Sequence, residues 1–138
     1  MSKSNQVKLN TYVNYKGNCR EAFQFYKEHL GGKITMISSF NDMPDKNSIP
    51  PNWQDKILHA QIEIGNGILM GADIPNAEQM HSAYLSLNVN SDEEAERIYG
   101  LLSDGGQIFM KMEQTFFASR FALLRDKFGT NWMLIHQD

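Results

Sequence analysis

His59 is the side chain of this sequence best suited to proton transfer, because it sits in the alternating run Ile57-Leu58-His59-Ala60-Gln61-Ile62-Glu63-Ile64. Strict alternation sets it opposite Leu58, Ala60 and Ile62, on the more polar face of a strand. An imidazole there can act as a general acid or base near neutral pH, or serve as a hydrogen-bonded structural histidine. Glu63 shares that face, but four residues along a strand separate the two by roughly 13 Å, too far to grip one ion together. His29 falls in the last turn of a helix, where positive charge suits the dipole. His81 falls in a loop and His136 near the C-terminus, so each reads as structural or exposed.

Cys19 opens a helix, a position that can lower a thiol pKa. No histidine neighbours it in sequence to act as its base, and it reads as small buried filler. Arg120 lies among Phe116, Phe117 and Phe121. Its guanidinium could clamp a carboxylate or phosphate through two parallel hydrogen bonds, or pair with Glu113 or Asp126. Trp132, Phe116, Phe117 and the eight methionines offer either an adaptable apolar lining or core.

An internal repeat positions these side chains. Glu21-Ala22 and Tyr26 return as Glu94-Ala95 and Tyr99, and Gly31-Gly32-Lys33-Ile34 returns as Gly105-Gly106-Gln107-Ile108, about 74 residues later. Each copy starts a helix the same way, with Asn18 or Ser91 as N-cap and Glu21 or Glu94 three residues on. Ala22, Phe25, Tyr26 and Leu30 form one apolar stripe, matched by Ala95, Ile98, Tyr99 and Leu102. Gly31 and Gly105 can end the helices.

Alternation predicts strands over Val7–Tyr15, Ile34–Phe40, Ile57–Ile64, Ile68–Ala72, Ala83–Val89, Ile108–Met112, Phe117–Arg125 and Asn131–His136. Asn10, Tyr12 and Asn14, like Tyr84, Ser86 and Asn88, then face away from the helices. Gly65-Asn66-Gly67 and Asp126-Lys127-Phe128-Gly129 are turns. The stretch 41–56, with Pro44, Pro50 and Pro51, reads as a surface loop in which Asp42 is a turn residue. The order is strand, helix, three strands, given twice. The fold class is therefore α+β: a single domain over 1–138 with βαβββ modules at about 7–73 and 82–137.

A net charge of −3 supplies no basic field for nucleic acid, and no Lys/Arg cluster offers a grip on an anionic membrane. No apolar run approaches bilayer length, and the stretch 1–8 lacks a signal-peptide core. One cysteine excludes an intramolecular disulfide. A cytoplasmic location is the expectation.

Tyr15-Lys16-Gly17-Asn18-Cys19-Arg20-Glu21-Ala22, followed by Phe25-Tyr26 and Gly31-Gly32, resembles the opening motif of PhnB-like proteins in the vicinal oxygen chelate (glyoxalase/bleomycin resistance/dioxygenase) superfamily. Leu58-His59-Ala60, Leu69-Met70, Thr115-Phe116-Phe117, Arg120-Phe121, Asp126-Lys127-Phe128-Gly129 and Trp132-Met133 resemble later ones. The resemblance implies a curved mixed sheet around a small-molecule cavity, with metal ligands drawn from two strands of each module. Those positions fall at Asn10, Met70 or Gly71, Tyr84 and Met133, none of them a histidine or carboxylate.

The expectation is a small-molecule-binding protein with neither metal nor cofactor. Its unidentified ligand would be lined by Asn10, Tyr12, Tyr84, Ser86, Phe117, Arg120, Trp132 and Met133, with His59 as the candidate catalytic residue. One alternative is an enzyme, either a lyase or isomerase using His59 or a metal enzyme with displaced ligands. Another is a structural dimer module with a vestigial cavity. A homodimer is expected, with no nucleic-acid or membrane partner. Some relatives carry a methyltransferase label, but no Gly-rich nucleotide loop follows the first strand, where Gly17 stands alone.

Overall fold

The computed structural model describes residues 7–138. Module one runs β1 (Thr11–Tyr15), α1 (Cys19–His29), β2 (Lys33–Ser39), β3 (Ile57–Ile64) and β4 (Gly67–Asp73). Module two repeats the order with β5 (Leu85–Asn88), α2 (Asp92–Ser103), β6 (Gln107–Glu113), β7 (Arg120–Arg125) and β8 (Asn131–His136). Each forms a four-stranded mixed sheet, β1-β4-β3-β2 or β5-β8-β7-β6, whose first strand lies parallel to its last. Parallel neighbours need a crossover that leaves the plane of the sheet. The helix supplies part of it and covers one face.

The core lies under the helices. Cys19, Ala22, Phe23 and Tyr26 of α1 are buried with Val13, Tyr15, Ala60, Ile62 and Leu69, and Ala95, Ile98 and Leu102 of α2 with Ala122, Leu124, Trp132 and Leu134. Burial of each larger side chain stabilises by roughly 1.5–3 kcal/mol. Phe23 joins the expected stripe of α1, while Phe25 and Leu30 are only partly covered. Gly31 and Gly105 follow the helices with φ of +70° and +76°, in the left-handed region that glycine adopts without penalty.

One polar joint ties the modules together. The Tyr26 hydroxyl donates to the Asp126 carboxylate, which also accepts from Trp132 Nε1 at 2.9 Å and from the backbone of Phe128 and Thr130. The Tyr15 hydroxyl lies 2.9 Å from Thr130 Oγ1. Burial of this joint holds the Asp126 carboxyl above its ordinary range, although those hydrogen bonds pull the other way.

Several sequence expectations need correction, among them β5, which runs only over Leu85–Asn88 and leaves Ala83 and Tyr84 before it. β1 begins at Thr11, and Val7 and Leu9 are almost fully exposed, because pairing with β4 starts at Thr11 opposite Leu69, just beyond the β3–β4 turn. β7 begins at Arg120, so residues 117–119 belong to the preceding loop. Asn18 makes no side-chain cap bond; the Asp73 carboxylate at the end of β4 instead accepts from the backbone N–H groups of Gly17 and Cys19. In α2 the Ser91 hydroxyl does cap, accepting from Glu94 N–H, but the Glu94 carboxylate bonds Arg97. The loop 41–56 carries a short 3-10 turn over Lys46–Ser48, and Asp42 closes another by accepting from Ser39 N–H.

Candidate functional site

Each sheet has one face without a helix, and the two faces can be compared residue by residue. The strand register runs Tyr12, Met70, Gln61, Met36 across module one and Ser86, Met133, Leu123, Met110 across module two. Two residues before Gln61 in β3 stands His59, paired with Ser38. Two residues before Leu123 in β7 stands Phe121, paired with Ile135. Side chains two apart in a strand share a face. His59 and Gln61 of module one thus correspond to Phe121 and Leu123 of module two.

These faces are open. Tyr12 is 52% exposed, Met36 47% and Met110 43%, and His59, Gln61, Phe121 and Leu123 are half-buried although they lie on central strands. The Tyr12 and His59 rings lie nearly parallel, with centroids 6.5 Å apart. Phe117 packs edge-on against Phe121 at 5.1 Å. Tyr84 meets Phe109 edge-on at 6.2 Å, and Arg125 lies over the same Phe109 ring at 5.2 Å. Arg125 donates to Asn131 Oδ1, Gln79 Oε1 and Met80 O.

The expected site residues divide. Tyr12, His59, Ser86 and Met133 share the open faces, and Phe117 reaches them through Phe121. Asn10 is exposed in the segment before β1. A groove of about 230 Å³ between the β1 and β5 edges takes in Tyr84, Ser86 and Trp132, together with Leu9, Thr11 and Leu69. Trp132 is buried against Tyr26 on the helix side. Arg120 binds Glu96 at 2.8 Å and Asp92 at 3.4 Å, not Glu113 or Asp126, because β7 turns it toward the first turns of α2.

A polar clamp sits beside Arg120. Asp92 Oδ1 accepts from Ser119 Oγ at 2.6 Å and from His136 Nδ1 at 2.8 Å. The Ser119 hydroxyl and then His136 hold the Asp92 carboxyl below its usual range. Cys19 is fully buried, and desolvation pushes its thiol pKa up, so it lacks the thiolate character of a nucleophile.

The superfamily metal can be tested against the donors present. Of the two candidates in β4, Met70 shares the open face with Tyr12. Gly71 lies under α1, where a Cβ would meet the Phe23 ring at 2.9 Å. Two thioethers, an amide and a phenol do not make the carboxylate and imidazole set that hard or borderline divalent ions favour. Among the described residues no three His, Cys, Asp or Glu side chains converge. The residues do not fit the metal.

Sequence reasoning did not single out Ser38, Gln61, Phe121, Leu123 or Met110 as facing residues. Alternation from His59 gives Gln61. The partner positions are harder to find, because the repeat offset is 74 residues between Met36 and Met110 but 62 between Gln61 and Leu123. The 41–56 loop belongs to module one alone.

Two βαβββ modules, each a four-stranded mixed sheet with one helix-free face, define a glyoxalase-like protein of the vicinal oxygen chelate fold. The chain belongs to the family described as 3-demethylubiquinone-9 3-methyltransferase, whose model matches residues 7–135. It is similar to protein PA1353 from Pseudomonas aeruginosa, with 38% identity, a TM-score of 0.85, and 96% and 98% of the two chains covered. The PhnB protein of Bacillus cereus shares the fold at 24% identity and a TM-score of 0.78, covering 94% and 99%. The fosfomycin resistance protein FosX of Listeria monocytogenes does so at 11% identity and 0.64, covering 96% and 94%. No helix among the described residues is long and apolar enough to cross a membrane.

Proposed function

We propose that this PhnB-like chain is a metal-independent small-molecule-binding protein whose cavity is walled by the helix-free sheet faces and closed by a second copy of the chain. The carrying observation is the pair of open rows, Tyr12-Met70-Gln61-Met36 and Ser86-Met133-Leu123-Met110, with thioethers where relatives of this fold would hold an ion. Tyr12, Met36 and Met110 stand open on the edge strands beside half-buried Met70, Met133 and Leu123 on the central ones, a surface suited to being covered. A homodimer covers both faces at once by symmetry. Equilibrium dialysis against Mn²⁺, Ni²⁺ and Zn²⁺ tests the first half, with no stoichiometric binding expected. One tightly held ion per chain contradicts it. Sedimentation at micromolar concentration tests the second half, where a monomer alone contradicts closure by a partner copy.

A second reading, acid–base catalysis through His59, is favoured by its position beside Tyr12 on an open face. Unchanged turnover in His59→Ala removes it. Methyl transfer, which the family description names, finds no support in these residues. The glycine before α1, Gly17, spends its N–H on Asp73 rather than on a nucleotide phosphate.

A further inference from the structure

The two helix-free faces differ in chemistry at matched positions, and this difference specifies a class of ligand. In module one the face carries, beside Met70 and Met36, the Tyr12 hydroxyl, the His59 imidazole, the Gln61 amide and the Ser38 hydroxyl, which donates to His59 O. At the matched central positions of module two, His59 gives way to Phe121 and Gln61 to Leu123, beside Met133 and Ile135. Phe117 extends that apolar surface. Among the described residues the central rows hold no lysine or arginine. Arg125 is tied by three hydrogen bonds, and Arg120 is bound to Glu96 and Asp92 away from the face. Glu63, at the far end of β3, stands opposite Lys33.

From this asymmetry we infer that the cavity takes an uncharged amphipathic molecule. Its aromatic or aliphatic body lies on the Phe121–Leu123–Met133 wall, and its hydroxyl or carbonyl is held by His59, Gln61, Tyr12 or Ser38. The inference rests on the binding-protein reading above and deepens it. The physical reason is that an apolar wall rejects charge, whereas solvent-accessible polar groups favour a ligand that satisfies them once water is displaced. His59 and Gln61 bring both donor and acceptor capacity, so one hydroxyl or carbonyl can be satisfied in either sense.

The test compares 1-naphthol with naphthalene, two probes of one shape that differ by a single hydroxyl, titrated against the full chain by fluorescence. The expected result is binding of both, with 1-naphthol preferred by about tenfold, the scale of one net hydrogen bond. In the His59→Leu, Gln61→Leu double variant the preference falls to about one while naphthalene still binds. Retained naphthalene binding also reports that the double variant is folded. Should that variant not fold, Gln61→Met alone lowers the preference by a few-fold on the same reasoning. Equal affinity of the wild-type protein for the two probes overturns the amphipathic inference and leaves the cavity reading standing. So does an undiminished preference in the variants. Binding of neither probe overturns both.

Discussion

Modules one and two repeat one topology, yet each solves the same structural problems with different residues. At the junction of last strand and helix, module one places the carboxylate on the strand. Asp73 of β4, buried to 1% exposure, accepts from Gly17 N, Cys19 N and Ile57 N. Module two places the carboxylate on the helix, where Asp92 of α2 accepts from His136 of β8 and from Ser119. Continuing the register from Met70 and Met133 makes Asp73 and His136 equivalent. Both arrangements anchor a helix N-terminus to the sheet, where negative charge is favoured by the helix dipole. The difference teaches that the repeat preserves an interaction and not the residues that make it. That freedom also let the helix-free faces diverge, with His59 and Gln61 in module one where module two has Phe121 and Leu123.

The comparison can be broken most forcefully at Asp73. Asp73→Ala leaves three buried N–H groups without their acceptor, at about 1 kcal/mol or more each, and should cost about 3 kcal/mol in urea unfolding with the m-value unchanged. Asp92→Ala should cost clearly less, because its site is only part-buried. Equal losses would mean that the two anchors do not differ as their burial implies.

A smaller effect is expected at the helix–sheet contact. Gly71 of β4 corresponds to Leu134 of β8, opposite Val13 and Leu87 in turn. Leu134 is fully buried and well accommodated, whereas a Cβ on Gly71 would approach the Phe23 ring at 2.9 Å and Cys19 Sγ at 3.1 Å. Helix α1 therefore lies closer to its sheet, and Gly71→Ala should destabilise by roughly 1–3 kcal/mol through overpacking. A neutral thermal-unfolding result would place α1 further from the sheet.

The smallest effect sharpens the comparison through pH. The Asp92 carboxyl is held below its ordinary range, so its contribution to stability is full above the unfolded-state value and is lost as pH falls through the lowered one. The Asp126 carboxyl is raised, so its ionisation opposes folding, and its influence has the opposite sign: it favours the folded state progressively as pH falls through the raised value. Asp92→Asn should flatten the acid loss of stability, whereas Asp126→Asn should steepen it. Parallel urea midpoints for both variants across the acid range would contradict these assignments.

The repeated order of elements was legible because hydrophobic period and glycine placement are local properties. Asn131–His136 and Ile57–Ile64 match the predicted strands residue for residue. The face of His59 was legible for the same reason. What local pattern cannot carry is the partner of a polar group. Asn18 looks like an N-cap, but Asp73, brought there by the parallel β1–β4 pairing, supplies the acceptor. Arg120 looked free to clamp an anion until α2 set Glu96 and Asp92 against it. Trp132 looked like lining, yet buried Asp126 draws its indole N–H inward. The Phe121 and Leu123 counterparts of His59 and Gln61 lay out of reach of a constant repeat offset, since the loop in module one shifts the count.

The binding reading requires that the two unlike faces enclose one site. It is tested most directly by NMR of the full-length chain during a 1-naphthol titration, following the His59 ring protons and the Leu123 and Met133 methyls together. All three are expected to shift along a single binding isotherm. Movement of only one wall, or of the two walls with different midpoints, would contradict it.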